Sequence, residues 1–221
     1  MTFTGEYPDL KNRRVLVTGA SSGIGLAASE AFLDQGARIA AHYRAQRGPV
    51  NALAHRYPDR VFPVEADLSE EGGCVRAVRE AAAALGGLDV LVHSAGIWTA
   101  GPIREMTSDT LERTFKVNTF SAYYLSREAA RAMEGGSLVF IGSTAGQRGE
   151  PGHSHYAGSK GAVQSLVLSL AQELAPGVRV NLVSPGWVRT PMAKEALDTR
   201  GEAICRAVPL NRVAEAAGGA A

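Results

Sequence analysis

Hydrophobic and polar positions along the chain fall into short apolar runs separated by longer amphipathic or alanine-rich stretches. The runs lie at Arg13 to Thr18, Ala37 to His42, Val61 to Ala66, Leu88 to His93, Ser137 to Gly142 and Val178 to Ser184, and Val, Ile and Leu recur in them. They read as strands. Between them the pattern predicts helices near Ile24 to Gln35 and over 49–57, 69–85, 108–133 and 155–175, the 69–85 helix opened by Ser69 with Glu70 and Glu71 in its first turn. Strands apolar on both faces and separated by helices predict an α/β doubly wound Rossmann fold, with a central parallel sheet of six strands and helices on both faces. Ligands of such sheets bind beyond the carboxyl ends of the strands, where the winding reverses, so the chemistry is expected just after each strand. No internal repeat or linker divides the chain, and one domain over 1–221 is expected, its low-complexity end 214–221 frayed.

Composition narrows the function classes. At 221 residues, with 45% hydrophobic and 20% charged residues, the chain can bury a single sizeable core and is not a disordered segment. Lys+Arg 23 against Asp+Glu 22 gives a net charge of +1 with no basic block, which argues against nucleic acid and anionic lipid as partners. The N-terminal stretch carries acids and a proline where a secretion signal needs a basic patch and an apolar run, and no apolar stretch approaches the roughly 18 residues that cross a bilayer. A cytoplasmic protein without a membrane partner is expected. Cys74 and Cys205 form no CxxC, so both are expected as reduced thiols rather than a disulfide or zinc site.

The first strand runs directly into Thr18-Gly-Ala-Ser-Ser-Gly-Ile-Gly25. Without Cβ atoms the glycines let the backbone turn tightly and approach a pyrophosphate, and the free N–H groups of the next helix offer donors and a positive dipole end. Alone, this could equally be a flexible turn. It is followed, however, by Asp67-Leu68 after the third strand, His93-Ser-Ala-Gly96 after the fourth, Asn118, Ser143 after the fifth, Tyr156-Ala-Gly-Ser-Lys160, and Ser184-Pro-Gly-Trp-Val-Arg-Thr190 after the sixth. In this order the landmarks resemble the short-chain dehydrogenase/reductase family over nearly the whole chain, and are similar to its 3-oxoacyl-carrier-protein reductases and related carbonyl reductases. His93-Ser-Ala-Gly96 is a variant of that family's Asn-Asn-Ala-Gly.

The resemblance implies a nicotinamide-dependent oxidoreductase of a small-molecule carbonyl or alcohol, with Asn118, Ser143, Tyr156 and Lys160 as its catalytic residues. The implied cofactor-binding set is Gly19, Ser21, Ser22, Gly23, Ile24, Gly25, Tyr43, Arg44, Asp67, Leu68, Ser94, Ala95, Gly96, Tyr156, Lys160, Pro185, Gly186, Val188 and Thr190. It also implies a homodimer or homotetramer. Relatives commonly add a seventh C-terminal strand, which is missing from the pattern here.

The i, i+4 spacing of Tyr156 and Lys160 puts both side chains on one helix face, where an ammonium, together with an oxidised nicotinamide, would favour phenolate and bring the phenol down from its ordinary value of about 10 toward neutrality. Tyr156 would then act as general acid in reduction and general base in oxidation, and Ser143 would orient the substrate oxygen. By resemblance, Lys160 would also hold the cofactor ribose and Asn118 a water relay. No carboxylate occurs from Ala37 to Pro49, where an NAD-binding chain would place one for the ribose hydroxyls. Arg44, with Arg47 as second candidate, could instead pair with a 2′-phosphate, which favours NADP(H) over NAD(H); the alternative is two solvated surface arginines.

His153 and His155 make a His-x-His on a loop, a poor chelate signal, so no metal is expected and pocket lining or a solvated loop is the reading. Ile97, Trp98 and Trp187 line a substrate pocket or pack beneath it. About 190–210, Met192, Ala196, Leu197, Ile204 and Val208 recur at roughly helical spacing, as an apolar lid would. Two other functions stay open: a non-catalytic dinucleotide-binding or regulatory protein, and a nucleotide-sugar epimerase or dehydratase. The latter group has TGxxGxxG and a longer C-terminal domain, neither of which is present here.

Overall fold

The computed structural model describes residues 5–219. Six strands, β1 (Arg14–Thr18), β2 (Arg38–Tyr43), β3 (Val61–Glu65), β4 (Val90–His93), β5 (Gly136–Ile141) and β6 (Val178–Val183), form one all-parallel sheet in the order β3-β2-β1-β4-β5-β6. The expected doubly wound fold is therefore present. Each strand lies within one or two residues of its apolar run.

Alternation along the strands divides the core between two layers. Leu16, Ala40, Val64, Leu91, Leu138, Phe140 and Val180 face one side, packed by α3 (Glu71–Leu85), α5 (Ser121–Ala132) and α7 (Ser154–Glu173). Val15, Val17, Ile39, Ala41, Val61, Val90 and Val92 face the other, under α1 (Gly23–Asp34) and α2 (Gly48–Arg56). Burying both faces of a parallel sheet is what these β-branched runs encode. Arg14 fixes the central pair: its guanidinium meets Asp89 at 2.6 and 3.0 Å, and Asp89 Oδ2 also accepts the Arg14 backbone N–H at 2.8 Å. That clamp ties the start of β1 to the start of β4.

Winding reverses between β1 and β4, and Thr18 pairs with His93 at the carboxyl ends of these two strands. This is the place where a doubly wound sheet opens a ligand crevice.

Two expectations are corrected. Ser69 does not open α3, which begins at Glu71; its N–H and hydroxyl instead both donate to Asp67 Oδ1, at 2.9 and 2.7 Å, a local turn that competes with helix capping. The single helix expected over 108–133 is split into α4 (Ser108–Phe115), a π-helical turn at Lys116–Phe120, and α5. Along the chain follow α6 (Ala145–Arg148), β7 (Val188–Arg189) and α8 (Lys194–Ala207), and β7 pairs in parallel with β8 (Ala214–Glu215), which a short helix at Ala216–Gly219 continues. Residues 220 and 221 lie outside the described residues.

Among the described residues no helix is long and apolar enough to cross a membrane. Cys74 and Cys205 are both free thiols.

Candidate active site

The crevice at the switch point is a cavity of about 1080 Å³ that runs from the glycine-rich turn to α8. Its lining takes in Gly19, Ser21, Ser22, Gly23, Ile24, Tyr43, Arg44, Asp67, Leu68, Ser94, Ala95, Gly96, Ser143, Tyr156, Lys160, Pro185, Gly186, Val188 and Thr190. Of the expected residues, Gly25 and Asn118 stand behind the wall rather than in it. A Cβ on Gly25 would come within 2.4 Å of the Gly19 carbonyl oxygen, so only glycine lets α1 pack this closely onto the turn. The turn itself needs Gly19 and Gly23 at φ of +69° and +54°, and Gly23 is closed over by the Thr190 methyl.

Buried histidines hold the turn from below. His42 is almost fully buried; its Nδ1 accepts the Gly19 N–H at 3.1 Å and its Nε2–H donates to the Ala66 carbonyl at 3.1 Å. Thr18 Oγ1 accepts the N–H groups of Ser94 and Ala95, both at 3.1 Å, and with its lone pairs so occupied donates to His93 Nδ1 at 2.8 Å. His93 Nε2–H then donates to Ser121 Oγ at 3.1 Å, and that hydroxyl donates to the Val117 carbonyl at 2.6 Å. One directed chain thus joins the end of β1, the turn after β4 and the π-helical turn. Burial, aided by the Lys160 charge, pushes His93 down to about 3, so it is a neutral imidazole there.

Asn118 sits on that π-helical turn and is fully buried. Its Oδ1 accepts the Ile97 N–H at 2.8 Å, and its Nδ2 donates to the Ile97 carbonyl and to Ser159 Oγ, both at 3.0 Å. It therefore clamps the turn after β4 to α7 rather than facing the cavity. π-helical turns inside α-helices recur at functional sites.

Ser143, Tyr156 and Lys160 meet at the inner end of the cleft. Ser143 Oγ accepts the Ala145 N–H at 3.1 Å, which leaves its proton free to donate. Lys160 is buried and its Nζ donates to the Ile141 carbonyl, at the end of β5, at 2.7 Å; burial pushes this ammonium down to about 8. Within this chain alone the expected lowering of the Tyr156 phenol does not arise. Burial holds Tyr156 above the ordinary phenol value, the Glu150 charge adds to the rise, and only the Ser143 hydrogen bond opposes it. One ammonium N–H is thus committed to the strand end.

Gly96 passes over this cluster: a Cβ there would lie 3.2 Å from Asn118 Oδ1 and 3.6 Å from Lys160 Nζ. Together with the glycine-rich turn, these close approaches form a cradle of backbone that accommodates a dinucleotide. Two expected contacts are already engaged within the chain. The Tyr43 hydroxyl donates to Glu65 Oε2 at 3.0 Å, and Asp67 Oδ1 receives both Ser69 donors, which hold that carboxyl below its usual range.

The outer end of the cleft is aromatic. Trp98 stacks on His153 with centroids 4.4 Å apart and meets Trp187 edge-on at 5.8 Å, while its Nε1–H donates to Glu150 Oε2 at 3.3 Å. Ala196 and Ile204 of α8 pack with both tryptophans, so these side chains line the cleft and pack beneath the cover at once. Val208 lies beyond α8, and Met192 is exposed at the cleft. His153 lines the cavity; His155 does not, and is buried with Nε2 3.2 Å from Thr99 Oγ1 and Nδ1 unpartnered. Sequence reasoning missed Thr18 and His42 as supports and Arg148, Glu150 and Arg200 as lining residues. The first two are polar residues inside apolar runs, a visible signal; the last three lie in stretches with no motif.

Comparison with known proteins bears on the same residues. A family model described as short chain dehydrogenase matches residues 13–201. L-rhamnose 1-dehydrogenase (NAD(P)(+)) of Sphingomonas sp. is 35% identical over 196 residues, covering 85% of this chain and 77% of its own. The 3-oxoacyl-[acyl-carrier-protein] reductase MabA of Mycobacterium bovis is 32% identical over 222 residues, covering 97% and 86%. A short chain dehydrogenase from Burkholderia cenocepacia, solved in complex with NADP, superposes with a TM-score of 0.90 at 33% identity over 96% of this chain and 88% of its own. The glycine-rich turn, the Tyr156–Lys160 pair and the Ser143 strand end all fall within the matched span, and the chain belongs to the short chain dehydrogenase family of oxidoreductases.

Proposed function

We propose that this chain interconverts a carbonyl compound and its secondary alcohol with NADP(H), using Tyr156 as general acid and base. The observation that carries the reading is the convergence of Ser143, Tyr156 and Lys160 at the inner end of the cleft beside the Gly96 turn. When bound, the nicotinamide cofactor supplies or accepts the hydride. The chain's own residues do the rest. The protonated Tyr156 phenol donates its proton to the substrate oxygen in reduction, and Ser143 donates a hydrogen bond to the same oxygen. Lys160 would hold the ribose, and Asn118 would keep the Ile97 backbone and α7 in register around it.

Replacing Tyr156 by Phe removes the proton and keeps the ring. Turnover, followed by loss of nicotinamide absorbance across a panel of carbonyl compounds, is expected to fall about 10²- to 10⁴-fold, with NADPH affinity unchanged. Undiminished turnover would sink the mechanism.

NADP(H) preference rests on Arg44, which lines the cleft after β2 with no carboxylate of that segment to compete, and on the NADP complex of the Burkholderia relative. Arg44→Gln is expected to weaken NADPH binding about tenfold and leave NADH unchanged, as loss of a charge-assisted phosphate contact would. Equal weakening of both in a fluorescence titration would refute that assignment. A cytoplasmic homo-oligomer completes the proposal.

A further inference from the structure

The outer half of the cleft has a chemistry that the hydride-transfer reading does not use. Two indoles stand as a corner, Trp98 nearly perpendicular to Trp187 at 83°, and Trp98 is locked by a parallel stack on His153 and a hydrogen bond to Glu150. A rigid aromatic corner offers a face and an edge, which suits a flat ring better than a flexible chain. Three charged side chains line this end of the cavity: Arg148, Glu150 and Arg200. Glu150 is engaged by Trp98, and His153 Nδ1 lies 3.9 Å from it. Among the described residues neither guanidinium has an ion pair or hydrogen bond.

These two arginines come from different elements around the cavity. Arg148 ends α6, the short helix that follows Ser143, while Arg200 stands on α8 one turn before Ala203 and Ile204, which also line the cavity. The i, i+3 and i+4 spacing puts Arg200 on the cleft-facing side of that helix. We infer that the substrate is a flat cyclic compound bearing a carboxylate, its ring against Trp98 and Trp187 and its carboxylate between Arg148 and Arg200. A guanidinium presents a planar fork that matches a carboxylate. The reacting carbonyl would then point inward to Ser143 and Tyr156. This assignment rests on the oxidoreductase reading for its orientation but makes a separate claim about binding.

The test is calorimetric titration of the full chain, saturated with NADP⁺, by 4-acetylbenzoate, its methyl ester, and levulinate, a linear keto acid. The acid is expected to bind at least about tenfold more tightly than the ester and than levulinate. Arg148→Gln and Arg200→Gln should each bring the acid toward the ester, and Trp98→Leu should remove the advantage over levulinate, with NADPH affinity retained as the sign of a folded variant. Because both tryptophans of the chain line this cleft, quenching of intrinsic fluorescence gives an independent readout. Equal binding of acid and ester overturns the carboxylate site, and equal binding of levulinate overturns the ring site. Turnover is read apart: binding with the expected preferences but no NADPH oxidation by any carbonyl compound would uphold this inference and count against the catalytic reading.

Discussion

His93 shows how one residue at the switch point couples position, protonation and stability. Its Nδ1 faces a threonine hydroxyl whose lone pairs already receive two backbone N–H groups, so a proton on that nitrogen would meet no acceptor. Folding therefore requires the neutral ring, and burial pushes its value to about 3 against an unfolded value of about 6.5. The sign follows directly. Above pH 6.5 neither state binds the proton, and between 6.5 and 3 only the unfolded chain does, so stability falls as the pH drops through that window.

By pH 5 this one group is expected to cost about 2 kcal/mol relative to pH 7. His93→Asn, which keeps one acceptor and one donor, should flatten the pH dependence by that amount in urea unfolding at the two pH values. An unchanged slope would show that the proton is taken elsewhere. At this scale the sequence exposed the candidate site residues but not their surroundings. The spacing of Tyr156 and Lys160 was legible, but the Ile141 carbonyl that takes an ammonium N–H and the burial that raises the phenol within the chain were not.

Elements were legible wherever burial on both faces forces a run of β-branched residues, which is why all six strands stand where the pattern puts them. The misses are at places where a side chain competes with the backbone pattern. Asn118 ties itself to Ile97 and Ser159 at the point where the long helix widens into a π turn, and hydrophobic spacing carries no mark of that widening. Asp67 captures Ser69 and delays α3 to Glu71.

The first turn of α3 then offers a paired comparison. A Cβ on Gly73 would fall 1.8 Å from the Asp67 carbonyl oxygen, whereas one on Gly72 meets nothing within 4 Å. Alanine is favoured over glycine in a helix by about 1 kcal/mol, so Gly72→Ala is expected to stabilise by up to that amount. Gly73→Ala is expected to destabilise by roughly 1–3 kcal/mol and to weaken cofactor binding, because overpacking there displaces the Asp67–Leu68 turn that lines the cleft. Thermal unfolding of both variants checks this; two stabilised proteins would mean that the α3 turn moves freely.

For the whole molecule, the sheet has two edges of unequal character. On β3 the edge is blunted by Pro63, which brings no N–H to the ladder, while β6 pairs only with β5 among the described residues and exposes Arg179, Asn181 and Val183. A second surface competes as the place where copies would meet. Phe120 on the π turn, Tyr123 one turn later on α5 and Leu168 on α7 are 45%, 50% and 62% exposed on neighbouring elements. Large apolar side chains scattered singly need no explanation, but three exposed on neighbouring elements make this face the candidate contact surface.

The helix face offers apolar area and the edge offers mainly polar groups, so the face is expected to carry the homo-oligomer that we propose. Light scattering after size exclusion should give a mass that is a multiple of 23.2 kDa. Leu168→Glu should reduce it to the single-chain mass, while Val183→Glu on the edge strand should not. The reverse result would move the interface to β6. A wild-type protein at 23.2 kDa would remove it altogether, and the face would then have to be read as a surface for a different partner.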